Sequence, residues 1–183
     1  YALVMQYGGD TNYEGYKNLE KSWSSIAASF LLLAEINNRR LQSIRKNMAK
    51  FLEFSGHWDE FLWLNQVAEE KALITNDINS AGWSVFSIGW VHYLRGEGEK
   101  VLESARRLET YAQNTHGSLK AAASRLHGLG EYLVKKYSEA IIAYDHALAI
   151  QRTIDSTSRE TASILYDAAE AKCCMKKYES AES

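Results

Sequence analysis

Proline is missing from the whole 183-residue chain, so no helix can be ended by one, and that task falls to glycine and asparagine. Cysteine is nearly missing too. Cys173 and Cys174 stand side by side, and adjacent helical residues point apart and cannot easily bridge, so they read as reduced thiols of a cytoplasmic protein. An excess of either charge is lacking: 21 Lys and Arg stand against 23 Asp and Glu, a net charge of -2. That balance supplies no electrostatic reason to expect nucleic acid or an acidic membrane surface as a partner. The longest apolar run, Ile26 to Ala34, falls short of the roughly 20 residues a bilayer requires. No charged start followed by an apolar core and cleavage site opens the chain.

Patterns of site chemistry are equally scarce. The stretch GEGEK, Gly96 to Lys100, has its glycines too close together and no hydroxyl after the lysine, so it cannot be a phosphate loop. His57, His92, His116, His127 and His146 form no HExxH or other ligand spacing, and turn or packing roles suit them better. The adjacent thiols lack the CxxC spacing of a redox pair. The carboxylates of AEEKA and GEGEK read as solvated surface charge. The expectation is a protein that is not an enzyme, with no cofactor and no metal.

What the sequence does contain is a repeated pair of amphipathic helices. Between Ala81 and Leu108, one helix carries Val85, Ile88, Gly89 and His92 at helical spacing, Gly96 and Gly98 break it, and a second carries Val101, Ala105 and Leu108. Aligned on the turn, the copies begin their second helices at Trp58, Gly98, Tyr137 and Tyr178, separated by 40, 39 and 41 residues. Three residues on lie Phe61, Val101, Ala140 and Ala181, and seven beyond those lie Ala68, Leu108 and Ala147. Twelve before the first of these sets stand Ala49, Gly89, Gly128 and Ala169, all small, which lets the helices of a pair approach closely. Neither helix buries its apolar face alone, so the unit calls for a stack of copies.

The best copy, KKYSEAIIAYDHAL with Tyr137, Ala140, Tyr144 and Ala147, resembles the tetratricopeptide repeat. The period near 40 exceeds that family's average of about 34, so longer helices or loops are expected, and HEAT-type repeats also run near this period. In the third copy, Gly130 lies close before Ala140, which suggests a shortened turn or a shifted first helix. The stretches Phe51 to Asp77 and Tyr13 to Asn38 resemble the repeat region, and the segment before it, of bacterial signal-transduction ATPases of the NB-ARC and MalT-like group. The resemblance implies an all-α, right-handed superhelix of antiparallel helix pairs. Any ATPase activity would lie outside this chain.

The expected organisation is a loop or linker from a longer chain over 1–12, a capping helix over 13–37 with Leu19, Trp23, Ile26, Phe30 and Leu33 on one face, and helix pairs over 38–183. Three pairs are complete. The fourth is truncated, with a loop over Asn114 to Ser118 before the third pair, a capping box of Thr157 and Glu160 opening the fourth, and a final turn just before Tyr178. In tetratricopeptide arrays the first helices line a concave face. The resemblance therefore places Trp83, Phe86, Trp90 and Tyr93 of the second copy there, with Ala122, Arg125, Leu129 and Tyr132 of the third and Tyr166 of the fourth. Trp83, Phe86 and Tyr132 are expected to be exposed on it and Trp90 to be buried, although aromatic core of longer helices explains the same residues. Such a groove suits a protein or peptide ligand, and the function implied is an interaction module, the sensor or scaffold of a signalling ATPase. A small-molecule or peptide-signal receptor array is the alternative.

Overall fold

The computed structural model describes residues 1–29, 32, 35, 37–113, 115 and 117–182, with side chains as far as Lys176. Among the described residues the chain is all-α, with ten helices and no strand. It divides into two compact units, Tyr1–Val91 and His92–Ser183. The first unit contains α1 (Ala2–Tyr7), α2 (Tyr13–Lys21), α3 (Trp23–Ser29), α4 (Asn38–Phe54), α5 (Trp58–Ile74) and most of α6 (Ile78–Leu94). The second contains α7 (Gly98–Ala112), α8 (Gly117–Leu133), α9 (Tyr137–Ile154) and α10 (Arg159–Glu182).

The long period comes from long helices. α4, α5, α6 and α8 each have 17 residues, and the turns within pairs, at 55–57, 95–97 and 134–136, are short. Each turn reverses the chain through one residue of positive φ: Gly56 at 75°, Gly96 at 71° and Lys135 at 64°. Glycine adopts that conformation without penalty, whereas Lys135 adopts it at the expense of a Cβ clash.

Within a pair, contacting residues rise in number on one helix as they fall on the other, the mark of antiparallel packing. Gly117 of α8 meets Ile154 of α9, and Gly128 meets Tyr144. A Cβ at Gly128 would lie 2.5 Å from the buried Tyr144 ring, so the small residue is what admits the aromatic. Gly130 is explained differently from the sequence expectation. The third turn is no shorter than the others and α8 is not shifted; Gly130 instead faces α7, where a Cβ would stand 2.6 Å from Leu102.

Four other expectations are corrected. The first dozen residues are not all loop: α1 buries Val4, and the Gly9 amide donates to Asn47 O of α4 at 2.8 Å. A short apolar run carries no periodicity from which such a helix can be read. The expected capping helix is interrupted at Ser22, separating α2 from α3; Leu19 and Ile26 are buried and Trp23 half-buried, while Phe30 and Leu33 lie outside the described residues. Ser118 belongs to the first turn of α8, not to a loop. The box at Thr157 does not form, because the Asp155 carboxylate accepts both the Thr157 amide and its hydroxyl at 2.9 Å. The cap passes to Ser158, whose Oγ accepts from the Thr161 amide at 3.2 Å.

At the fourth pair, α10 continues unbroken through Lys176 to Tyr178, where a turn was expected. The stretch from Ala169 to Lys177 has neither glycine nor asparagine and is dominated by Ala, Glu, Lys and Met, which favour helix, so nothing local ends α10 there, although the third turn forms on Lys135 without a glycine. Ala169 of α10 is exposed, whereas Gly89 and Gly128 at the matching positions are buried.

The core of the first unit is formed by Leu19, Leu41, Met48, Phe51 and Leu64, all fully buried, and their neighbours. Trp23 stacks on His57 at 4.0 Å. In the second unit Leu108, Leu119, Leu126, Leu129 and Tyr144 fill the centre. No helix among the described residues is long and apolar enough to cross a membrane.

Candidate functional site: polar seams between first helices

Side chains that link one first helix to the next rise in number together, so these helices lie parallel. In the first unit Asn38 of α4 donates to Asp77 Oδ2 at 3.0 Å, and Arg45 reaches Ser87 Oγ of α6 at 3.4 Å. Gln42 joins the two, donating to Asn38 Oδ1 at 2.9 Å and accepting from Arg45 Nε at 2.9 Å. Positions 38, 42 and 45 fall on one helical stripe, which makes the row continuous. Asp77 also accepts the Ser80 amide at 3.1 Å, anchoring the start of α6. These hydrogen bonds and Arg45 hold its carboxyl below its ordinary range despite burial. Burial pulls the Arg45 guanidinium down to about 10, against the opposing pull of Asp77.

In the second unit the seam is ionic and aromatic. Arg125 Nε donates to Asp167 Oδ2 of α10 at 2.7 Å, with both side chains largely buried. Tyr132 Oη lies 3.6 Å from Cys174 Sγ, with the Glu170 carboxylate near enough to act on it. Tyr93 shares the field of Glu170, Asp167 and Arg125. Desolvation is the largest influence on Asp167 and raises its carboxyl above the usual range even beside Arg125. Burial likewise raises the Tyr93, Tyr132 and Tyr144 phenols, with the nearby carboxylates adding to it. Their hydroxyls therefore remain protonated donors at neutral pH.

Each expected groove residue can now be placed. Trp83, Phe86 and Trp90 lie in the first unit, on α6, where Trp83 and Phe86 meet edge to face at 5.8 Å. All three are half-buried, so Trp83 and Phe86 are less open than expected and Trp90 less enclosed. The reason is the mutual packing of the first two rings, which removes part of each from water. Tyr93, Arg125, Tyr132 and Tyr166 lie in the second unit and gather around Asp167 and Glu170. Tyr132 is half-buried instead of exposed, drawn in by its contacts with Cys174 and Glu170. Ala122 and Leu129 are buried, and Tyr166 is 68% exposed.

The residues that sequence reasoning missed are the partners: Asp167, Glu170, Gln42 and Arg45. A signal existed for one of them. Arg125 and Asp167 are opposite charges 42 residues apart, close to one repeat step, and the same interval separates Arg45 from Ser87 and Tyr132 from Cys174.

No protein-family model matches the chain, and no curated protein or solved structure matches it significantly. The class that geometry defines is an all-α chain of helical hairpins whose first helices meet in polar, aromatic-flanked seams.

Proposed function

We propose that the chain is a tetratricopeptide-type α-solenoid, wound as a right-handed superhelix, that binds a protein or peptide ligand along its first helices. In this reading it is the sensor or scaffold repeat region of a larger bacterial signalling ATPase. Antiparallel pairs with short turns and small residues at the helix contact support the repeat type. The link to an ATPase rests on the sequence resemblance over Tyr13 to Asn38 and Phe51 to Asp77, and the cytoplasmic setting on the two free thiols.

The observation that carries the binding role is the second unit's seam. Arg125 and Asp167 are paired beside Tyr93 and Tyr132, while Tyr166 stands open to solvent from α10. Tyrosine and arginine dominate interface energies because each couples apolar area to directed hydrogen bonds. Selection of a displayed peptide library on the full chain tests the reading. Peptides enriched on the native protein should lose most of their affinity on Tyr166→Ala, a substitution at an exposed position that leaves thermal stability unchanged. If no peptide is enriched, or if the enriched peptides bind Tyr166→Ala equally, the seam is not the site.

A further inference from the structure

α8 has two working faces. Residues 122, 125, 129 and 132 turn one way, with Arg125 and Tyr132 in the seam. Residues 120, 124, 127 and 131 lie on the opposite side of the helix, where they form the floor of a cleft of about 790 Å³ walled by α7 and α9. That volume falls in the range of about 300–1,000 Å³ typical of small-molecule sites.

The cleft is graded along its length. At one end Glu131 of α8 and Glu139 of α9 line it together with Glu109 of α7. His127 stands between two of these carboxylates, its ring nitrogens 3.1 Å from Glu109 and 3.3 Å from Glu131. Two of the three carboxylates are thus arranged around an imidazole ring. Glu131 Oε2 is closed off from solvent and accepts no hydrogen bond among the described residues, and Lys136 Nζ lies 3.9 Å from it. Toward the other end the wall becomes apolar, with Ile142, Ala143 and Ile150 on α9 and Ala112 on α7. Ile142 is 70% exposed, unusually open for a residue of its type. Lys120 marks the far end.

We propose that this cleft binds a small organic ammonium ion with an apolar stem. The ammonium lies among Glu109, Glu131 and Glu139, where three carboxylates face one cationic lysine across the length of the site. The stem runs along Ile142, Ala143 and Ile150, and Lys120 repels a cation placed the other way round, so one orientation is favoured. Charge-assisted hydrogen bonds to the exposed Glu109 and Glu139 carboxylates give the head-group its specificity, and removal of the stem and the isoleucine wall from water supplies the rest.

Titration of the full chain with hexylammonium, hexanol and hexanoate tests this, followed by calorimetry and by the backbone amide resonances of α7 to α9. Hexylammonium should bind and shift those resonances, with hexanol about tenfold weaker and hexanoate silent. Glu139 is exposed, so Glu139→Gln and Glu139→Lys keep the fold, and they should weaken hexylammonium progressively. Ile142→Ala should weaken hexylammonium and hexanol alike. Tyr166→Ala should change nothing, since it belongs to the opposite seam, which separates failure here from failure of the peptide-binding reading. The proposal is overturned if hexanol or hexanoate matches hexylammonium, if Glu139→Lys binds as the native chain does, or if no binding occurs at millimolar amine.

Discussion

At the scale of single residues, backbone conformation and buried charge are the two places where this chain holds back stability. Lys135 occupies the left-handed conformation that Gly56 and Gly96 take at the equivalent turns. Lys135→Gly should therefore stabilise the protein by about 1 kcal/mol, since relief of the Cβ clash exceeds the added unfolded-state freedom. A raised denaturant midpoint at constant slope is the expected reading. The Arg125–Asp167 pair behaves in the opposite sense. Removing one partner, as in Arg125→Met, leaves a largely buried carboxylate unpaired and should cost about 3–5 kcal/mol, whereas Arg125→Met with Asp167→Leu should recover most of that loss. A double-mutant cycle in urea measures both. A double variant no more stable than the single would mean that the pair is not an independent device.

At the scale of helices, a position's role depends on whether a partner lies against it. Gly128→Leu must push into the Tyr144 ring and should destabilise by about 1–3 kcal/mol. Ala169→Leu, the aligned position on α10, faces solvent and should stay within about 0.5 kcal/mol of the native protein. Thermal melts of the two variants distinguish these outcomes. The same contrast explains what could be read from the sequence. The starts of α5, α7 and α9 at Trp58, Gly98 and Tyr137 followed from turns and helical spacing, because amphipathic periodicity reports burial directly. α1, the break at Ser22 and the unbroken course of α10 did not, because each depends on which neighbour covers an ambiguous segment. In the candidate site, Arg125 and Tyr132 were legible as residues that share a stripe. Asp167 was not, since a lone aspartate on a helix looks like solvated surface until its counterion is found across the seam.

At the scale of the whole chain, two cores have to be considered. Helical arrays draw their stability from nearest neighbours, so damage stays close to where it is made. Phe51→Ala removes a fully buried ring from the core of the first unit and should cost about 3–5 kcal/mol locally. Hydrogen exchange should then accelerate in α2, α4 and α5 while α8 and α9 keep their protection. Uniform acceleration along the chain would show instead that the molecule unfolds as one cooperative body.

The 17-residue first helices have a consequence for any extended ligand. At about 1.5 Å per residue such a helix is roughly 26 Å long, which matches some seven or eight residues of extended peptide at about 3.3 Å each. On the proposed peptide-binding reading, helix length would set the frame in which a ligand is read. Shortening a first helix and its partner by about seven residues each, two whole turns, would keep every side chain on its face and narrow the frame. Removing three or four, near one turn, would rotate Arg125 by roughly 40° to 60° off its aspartate, whereas removing one would turn it about 100° to the side and removing two about 200°, to the opposite face.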